Sequence, residues 1–152
     1  MFTKTLQNMC VIITLSLGFW SGAAIGAGMA TGVSTEHAEI RKMIENQDHA
    51  KAIEILRELI ETDPDNAEHY NLLGYASRGI NDYAEASSNY AKALELDPNH
   101  KGALEYQGEL YLLLNRPARA KANLEALRAI CGEICEEYQD LAEEIVKYTS
   151  EK

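Results

Sequence analysis

The sequence contains few of the residues that mark several protein classes. It has 3 cysteines and 3 prolines among 152 residues. Three cysteines are too few for a small scaffold held by several disulfides, and 10 glycines with 3 prolines exclude a fibrous or low-complexity protein. The 14 basic residues face 24 acidic ones, a formal charge of −10, which excludes a broad nucleic-acid-binding surface of clustered Lys and Arg. Yet 46% of the residues are hydrophobic, too many for a wholly disordered chain.

Motifs of common enzyme classes are also absent. The sequence has no GxSxG, GxGxxG, P-loop or HExxH pattern. Its carboxylates are plentiful, but a repeat surface gives no obvious reason for the burial or close pairing that shifts a catalytic pKa. The four histidines show no spacing typical of metal ligands, and we expect all four at the surface. We therefore predict a protein that is not an enzyme, with no cofactor and no metal site.

The first thirty residues differ from the rest of the chain. After Lys4, no charged residue occurs until Glu36. An apolar run over 9–20 is followed by a run of small residues over 21–32. A positive start, an apolar centre and a small-residue end are typical of a secretory signal peptide. Residues 1–30 are therefore predicted to be one, which makes the protein periplasmic or secreted.

A second interpretation of this segment stays open. Residues 9–29 are numerous and apolar enough to span a bilayer, so the alternative is an uncleaved inner-membrane anchor. Gly18, Gly22 and Gly26 are spaced four apart, a pattern that lets two membrane helices approach closely. This alternative predicts a membrane-tethered assembly factor that dimerises through its N-terminal helix.

A period of 34 residues organises the rest of the sequence. The Asp-Pro pair at 63–64 returns at 97–98. One small residue recurs at the same interval, as Ala52, Ala86 and Ala120. Several coincidences in one register indicate internal repeats, each a supersecondary unit of about 34 residues.

Residues 67–100 carry the fullest version of this period and resemble the tetratricopeptide repeat (TPR) family. The matching positions are aromatic, Leu-Gly, Ala, aromatic, Ala and Pro, which here are Tyr70, Leu73, Gly74, Ala86, Tyr90, Ala93 and Pro98. Ser77 stands where the family pattern has an aromatic residue. Because Gly74 and Ala86 are small, we expect the two helices of this unit to pack closely at these positions.

The resemblance implies an all-α, right-handed superhelical TPR array of the exported bacterial type. Three helix-turn-helix units fill residues 33–134, with bounds at 33–66, 67–100 and 101–134. The segment 135–152 is predicted to hold a C-terminal capping helix over about 135–149, because its apolar residues lie on one face and acids occupy the remainder. Seven helices are predicted in total.

The resemblance also implies a binding groove on the concave face, lined by the first helix of each unit. The candidate groove residues are His37, Arg41, Glu68, Asn71, Tyr75, Arg78, Glu105, Glu109 and Leu112. Tyr75 is the best candidate anchor, since tyrosine offers a large contact area at low entropy cost; the alternative is packing against the neighbouring repeat. Glu105 and Glu109 make the groove acidic toward the third unit. We therefore predict a partner segment bearing basic residues, with solvated helix charges as the alternative.

Some members of the family grip the C-terminal carboxylate of a chaperone, and this clamp is not expected here. Glu105 and Glu109 replace the basic residues that the clamp needs in the third unit. The predicted function is therefore that of a non-catalytic extracytoplasmic adaptor. It binds a peptide or protein segment of unknown identity on its concave face, and it binds no nucleic acid.

Cys131 and Cys135 lie at the predicted turn between the third unit and the capping helix. In an exported chain, two cysteines this close are predicted to form a disulfide. Four residues apart in one helical turn, their Cα atoms are about 6 Å apart, which is within the range for a bridge. A redox accessory protein using this pair is the alternative. A metal site is not predicted, because two sulfurs fall short of a ligand set.

Overall fold

The computed structural model describes the backbone of residues 27–151 and the side chains from residue 35 onward. Within that range the chain forms seven α-helices and no strand. The helices are α1 (Ala27–Glu45), α2 (His49–Thr62), α3 (Ala67–Gly79), α4 (Tyr83–Leu96), α5 (Lys101–Leu113), α6 (Pro117–Cys131) and α7 (Glu136–Ser150). The predicted all-α fold and the number of helices are confirmed.

The helices pair in chain order and stack into a superhelical array. α1 packs on α2, α3 on α4 and α5 on α6, while α3 also contacts α1, α2 and α5. Short connections make each pair antiparallel. α7 lies against both α5 and α6, the position of a terminal capping helix that covers the last apolar face.

Three turns with one geometry separate the two helices of each unit. Gln47, Asn81 and Asn115 have φ values of 68°, 63° and 57°, the left-handed region that asparagine enters at lower cost than most residues. Their numbers differ by 34, so the period extends to the backbone turns. Pro117 occupies the first turn of α6, where a missing N–H costs no intrahelical hydrogen bond.

Close approach of α3 and α4 explains the glycine of the second unit. A Cβ atom on Gly74 would lie 2.7 Å from two ring carbons of Tyr90, and both Tyr90 and Ala86 are fully buried. Gly108 has the same role one unit later, since a Cβ there would lie 2.6 Å from a methyl carbon of Leu141 on α7. The expected small-residue contact is therefore present, with Tyr90 as its partner.

The expectation that all histidines lie at the surface is wrong for His69, whose side chain is 3% exposed. It lies on the inner side of α3, edge-on to the ring of His37 at a centroid distance of 5.0 Å. Its Nδ1 atom is 3.3 Å from the carbonyl oxygen of Asp63. Contact with α1 buries this ring, and no local pattern in α3 indicates that contact.

The N-terminal predictions fall almost entirely outside the described residues. Only 27–30 of the predicted signal peptide are covered, and there the backbone is already part of α1. In the part of the chain that could be searched, no helix combines the length and the apolar character needed to cross a bilayer.

Candidate functional site on the concave face

A cavity of about 570 Å³ opens on the concave side between α1, α3, α5 and α7, and we call it the acidic cavity. Two basic side chains, Arg41 and Lys101, and one histidine, His100, line it. Seven carboxylates share the wall: Glu45, Glu68, Asp97, Glu105, Glu136, Glu137 and Asp140. The cavity therefore carries a strong excess of negative charge.

Glu68 has its hydrogen-bonding capacity filled by neighbouring side chains. One carboxylate oxygen lies 2.6 Å from Nη2 of Arg41, and the other accepts from Asn71 Nδ2 at 2.8 Å and lies 3.0 Å from His100 Nε2. Burial alone would raise the pKa of Glu68, but the hydrogen bonds from His100 and Asn71 outweigh it and hold the pKa below its ordinary value. Glu68 is thus a charged, internally paired group.

Glu137 is paired in a similar way from the opposite wall. Its carboxylate lies 2.7 Å from Lys101 Nζ. Burial raises the pKa of Glu137, but the hydrogen bond from Lys101 outweighs this effect and holds the pKa below its ordinary value. Arg41 and Lys101 are therefore both already paired with acids of the cavity.

Glu105 differs from these two because it has no ion-pair partner among the described residues, and burial and the neighbouring acids outweigh the attraction of the Arg78 charge. Its side chain is 8% exposed, and it forms no hydrogen bond or ion pair with any residue that the structure describes. Burial, followed by the charges of Glu109 and Asp140, raises the pKa of Glu105 to about 8. The sequence-based expectation of carboxylates without burial is wrong at this position.

An aromatic layer forms the floor of the groove beside the cavity. The rings of Tyr75 and Tyr106 stack at a centroid distance of 4.7 Å and an angle of 18°. The guanidinium of Arg78 lies 5.4 and 5.5 Å from these two rings and forms an ion pair with Glu109. Arg41 Nη1 donates to the Tyr106 hydroxyl at 3.0 Å. Tyr75 therefore packs against the neighbouring repeat, the alternative named for it.

A second, smaller cavity of about 260 Å³ lies toward the C-terminal ends of α3, α5 and α7. Arg78, Glu109 and Leu112 line it, together with residues of α7. The predicted groove residues are therefore divided. Arg41, Glu68, Asn71 and Glu105 line the acidic cavity, whereas His37 and Tyr75 line neither of the two.

Sequence reasoning missed Tyr106 and the α7 side of the cavity. Glu136, Glu137 and Asp140 are among the acids outside the apolar face of the predicted capping helix. They line the cavity, because α7 packs beside α5 in the place that the first helix of a following unit would take. Acids recurring three and four residues apart on one helix face were the available signal.

Cys131 and Cys135 are placed with their sulfur atoms within bonding distance and their Cα atoms 5.9 Å apart. Gly132 between them has a φ of 76°, the left-handed region that favours glycine, and Cys135 is the N-cap residue of α7. A carboxylate oxygen of Glu137 lies within 4.8 Å of both sulfurs. Three such atoms, two of them joined to each other, do not make a zinc-type ligand set. The disulfide itself stays a prediction.

Two sequence profiles described as tetratricopeptide repeat match residues 42–66 and 67–100. Residues 42–100 therefore contain tetratricopeptide repeats. Over 54 residues it is 44% identical to the heat shock protein STI1 of Saccharomyces cerevisiae. That stretch is 36% of this chain and 9% of the yeast protein, so the match spans less than a tenth of its curated relative.

Several solved structures, including named TPR domains, share the fold over most of the chain. The TPR2B domain of yeast Sti1, solved as a pHsp70 complex, has a TM-score of 0.66 at 21% identity, covering 78% of this chain and 99% of that one. The type III secretion translocator chaperone SycD of Yersinia enterocolitica gives 0.64 at 13% identity, covering 80% and 91%. The first TPR domain of Spaghetti (RPAP3), bound to the HSP90 peptide SRMEEVD, gives 0.64 at 18% identity, covering 74% and 89%.

Proposed function

We propose that this TPR array is a non-catalytic adaptor that holds a segment of a partner protein in the acidic cavity, with a basic side chain of the segment facing Glu105. The observation that carries the proposal is the Glu105 carboxyl group, which is 8% exposed at the cavity wall and has no hydrogen-bond or ion-pair partner among the described residues. Ionising a buried carboxyl group is costly when it has no partner. An arriving guanidinium or ammonium group supplies the missing partner and gains a charge-assisted hydrogen bond.

The similar structures support peptide binding, whereas the ion pairs of this cavity favour a peptide of different charge. The Sti1 domain was solved with pHsp70 and the Spaghetti domain with the HSP90 peptide SRMEEVD, a segment with three acidic residues. In this chain, Arg41 is paired with Glu68 and Lys101 with Glu137. A strongly acidic peptide would meet occupied cations and an excess of carboxylates, so its binding is electrostatically disfavoured.

A peptide library with Arg, Lys, Glu or Asp at fixed positions tests this proposal. We expect the protein to enrich sequences with a basic residue, and Glu105→Gln to lose that enrichment. Glu143→Gln is the matched control, because Glu143 is an exposed α7 residue that lines neither cavity. Enrichment of acidic sequences, or the same loss in both variants, would contradict the proposal.

We also propose that the protein works outside the cytoplasm, on the basis of its N-terminal sequence pattern. N-terminal sequencing of the protein from its native cells tests this. A start near Ala27 or Thr31 supports export with cleavage and excludes the tether. A chain that begins at Met1 and sediments with membranes supports the anchored assembly factor instead.

The proposed location predicts an oxidised Cys131–Cys135 pair, since disulfides persist in extracytoplasmic compartments. Mass measurement with alkylation before and after reduction checks this. Two free thiols in material taken directly from the envelope would contradict it. A reduction potential below about −300 mV would mark a structural bridge and remove the redox accessory alternative.

A further inference from the structure

Every basic side chain near Glu105 in the described part of the chain already contacts another acid. On α3, the guanidinium of Arg78 pairs with Glu109. On α1, Arg41 pairs with Glu68. At the start of α5, Lys101 pairs with Glu137, and the His100 imidazole, whose Nδ1 accepts from the Ala103 backbone N–H, places Nε2 against Glu68. Turning any of these groups to Glu105 would take a partner away from a different carboxylate.

The remaining groups around Glu105 are acidic or neutral. α5 contributes Glu109 one turn further on, and α7 contributes Glu137 and Asp140, all of which repel a negative charge on Glu105. On α6, the Asn123 amide donates to the Leu104 carbonyl at 2.9 Å and to Gln107 Oε1 at 3.1 Å, so it does not serve Glu105. Three further acids line the cavity, namely Glu45, Asp97 and Glu136.

This geometry opposes an ionised Glu105 in the empty cavity, because the group is buried, repelled by neighbouring acids and without a donor among the described residues. Burial and the neighbouring carboxylates place its pKa at about 8, which agrees with the geometry. A cationic group within hydrogen-bonding distance would reverse this balance, since an opposite charge at close range favours the ionised carboxyl.

We propose that the acidic cavity binds a basic group by exchanging it for the proton on Glu105. This inference rests on the proposed function and specifies how that site is regulated. In the empty cavity the Glu105 carboxyl is neutral. When a guanidinium or ammonium group enters, the carboxyl releases its proton to the solvent and becomes the ionised partner of the bound cation. One proton leaves for each basic group bound, so the net charge of the cavity is unchanged.

Proton exchange has a consequence for affinity that simple charge attraction lacks. Below the pKa of Glu105, each increase of one pH unit strengthens binding about tenfold, because the proton and the cation compete for one carboxylate. Above that pKa the affinity becomes constant. A partner would therefore be held more tightly in mildly alkaline surroundings and released on acidification.

The free protein allows a test that needs no ligand. The side-chain carboxyl carbon of Glu105 is followed by NMR from pH 4 to 10, with Glu105→Gln identifying the resonance. We expect a titration midpoint between about 7 and 9, several pH units above that of an ordinary glutamate. A midpoint below about 5 would overturn the proposal, because no proton would then be present to exchange.

The second test uses N-acetyl-arginine amide as the cationic probe and N-acetyl-citrulline amide as its neutral counterpart. Their affinities are measured at pH 6, 7 and 8 for the wild type, Glu105→Gln and Glu143→Gln. We expect the arginine probe to bind the wild type and Glu143→Gln about tenfold more tightly at pH 7 than at pH 6. Glu105→Gln keeps every other side chain of the cavity, so the difference in pH dependence between this variant and the wild type reports Glu105.

The outcomes separate this inference from the proposed function. Binding of the arginine probe with the same pH dependence in the wild type and Glu105→Gln overturns proton exchange and leaves the basic-segment proposal standing. Absence of arginine binding at every pH, or equal binding of the citrulline probe, overturns both.

Discussion

Gly108→Ala tests how the capping helix is held against α5. A Cβ atom at this position would lie 2.6 and 2.7 Å from the two methyl carbons of Leu141, whose side chain is fully buried. Leu141 must move by about 1 Å to restore a carbon–carbon distance near 3.5–4.0 Å, and crowding of this kind costs roughly 1–3 kcal/mol. The higher helix propensity of alanine offsets at most about 1 kcal/mol of that. We expect the free energy of unfolding, measured by urea denaturation, to fall by about 1–2 kcal/mol.

Gly102→Ala is the matched control, because it makes the same change in the same helix with more space. The nearest atom, Nδ2 of Asn71, would lie 3.3 Å from the new carbon, so we expect a neutral or slightly stabilising effect. Leu141→Ala alone should cost about 2–5 kcal/mol. Combined with Gly108→Ala it should cost less than the sum, by about 1 kcal/mol or more, because the crowding partner is gone. If Gly108→Ala is as stable as Gly102→Ala, and the losses of Gly108→Ala and Leu141→Ala simply add in the double variant, the proposed crowding between residues 108 and 141 is refuted.

Three further predictions concern stability. Tyr90→Phe should be neutral or stabilising by up to about 1 kcal/mol, because the buried Tyr90 hydroxyl has no partner among the described residues; a clear loss in urea unfolding would contradict this. Asp82→Ala should cost about 1 kcal/mol, because Asp82 caps α4 by accepting from the backbone N–H of Glu85 at 3.0 Å. Asp48→Ala should cost much less, since Asp48 makes no side-chain cap bond; equal losses would contradict both. The pKa of Glu105 is raised by folding, so its ionisation opposes the native state as pH rises from about 4.5 to about 8. The free energy of unfolding of Glu105→Gln should therefore rise by roughly 2 kcal/mol relative to wild type across that window, a figure discounted for solvent in the cavity. A difference between the two proteins that does not change with pH would contradict this.

The elements of the fold were predictable because their causes are local. Apolar spacing and the Asp-Pro pair before 66 and 100 mark where helices lie and end. Gly74 and Ala86 indicated a close helix pair, and the contact with Tyr90 is present. The turn residues Asn81 and Asn115 are also 34 apart, so the turns carry the same period as the helices.

The environment of each candidate site residue was much less predictable. Tyr75 and Tyr106 belong to different repeats, so their stacking depends on how α5 docks against α3. His69 is buried by α1, which sits a full unit earlier. In each case the residue type is compatible with exposure or with packing, and only the neighbouring helix decides between them.

The sequence by itself determined the repeat length, the helices and the small residues at which they cross, because periodicity, turn chemistry and side-chain size act within one unit. It also determined the excess of acid in the last third of the chain. Only the tertiary structure decided which acid matters. Arg41, His100 and Lys101 reach Glu68 and Glu137 across helices, and α7 closes the wall beside Glu105. Whether a carboxylate is paired, solvated or buried alone depends on groups from other helices, and electrostatics in a partly buried cavity is set by those distances.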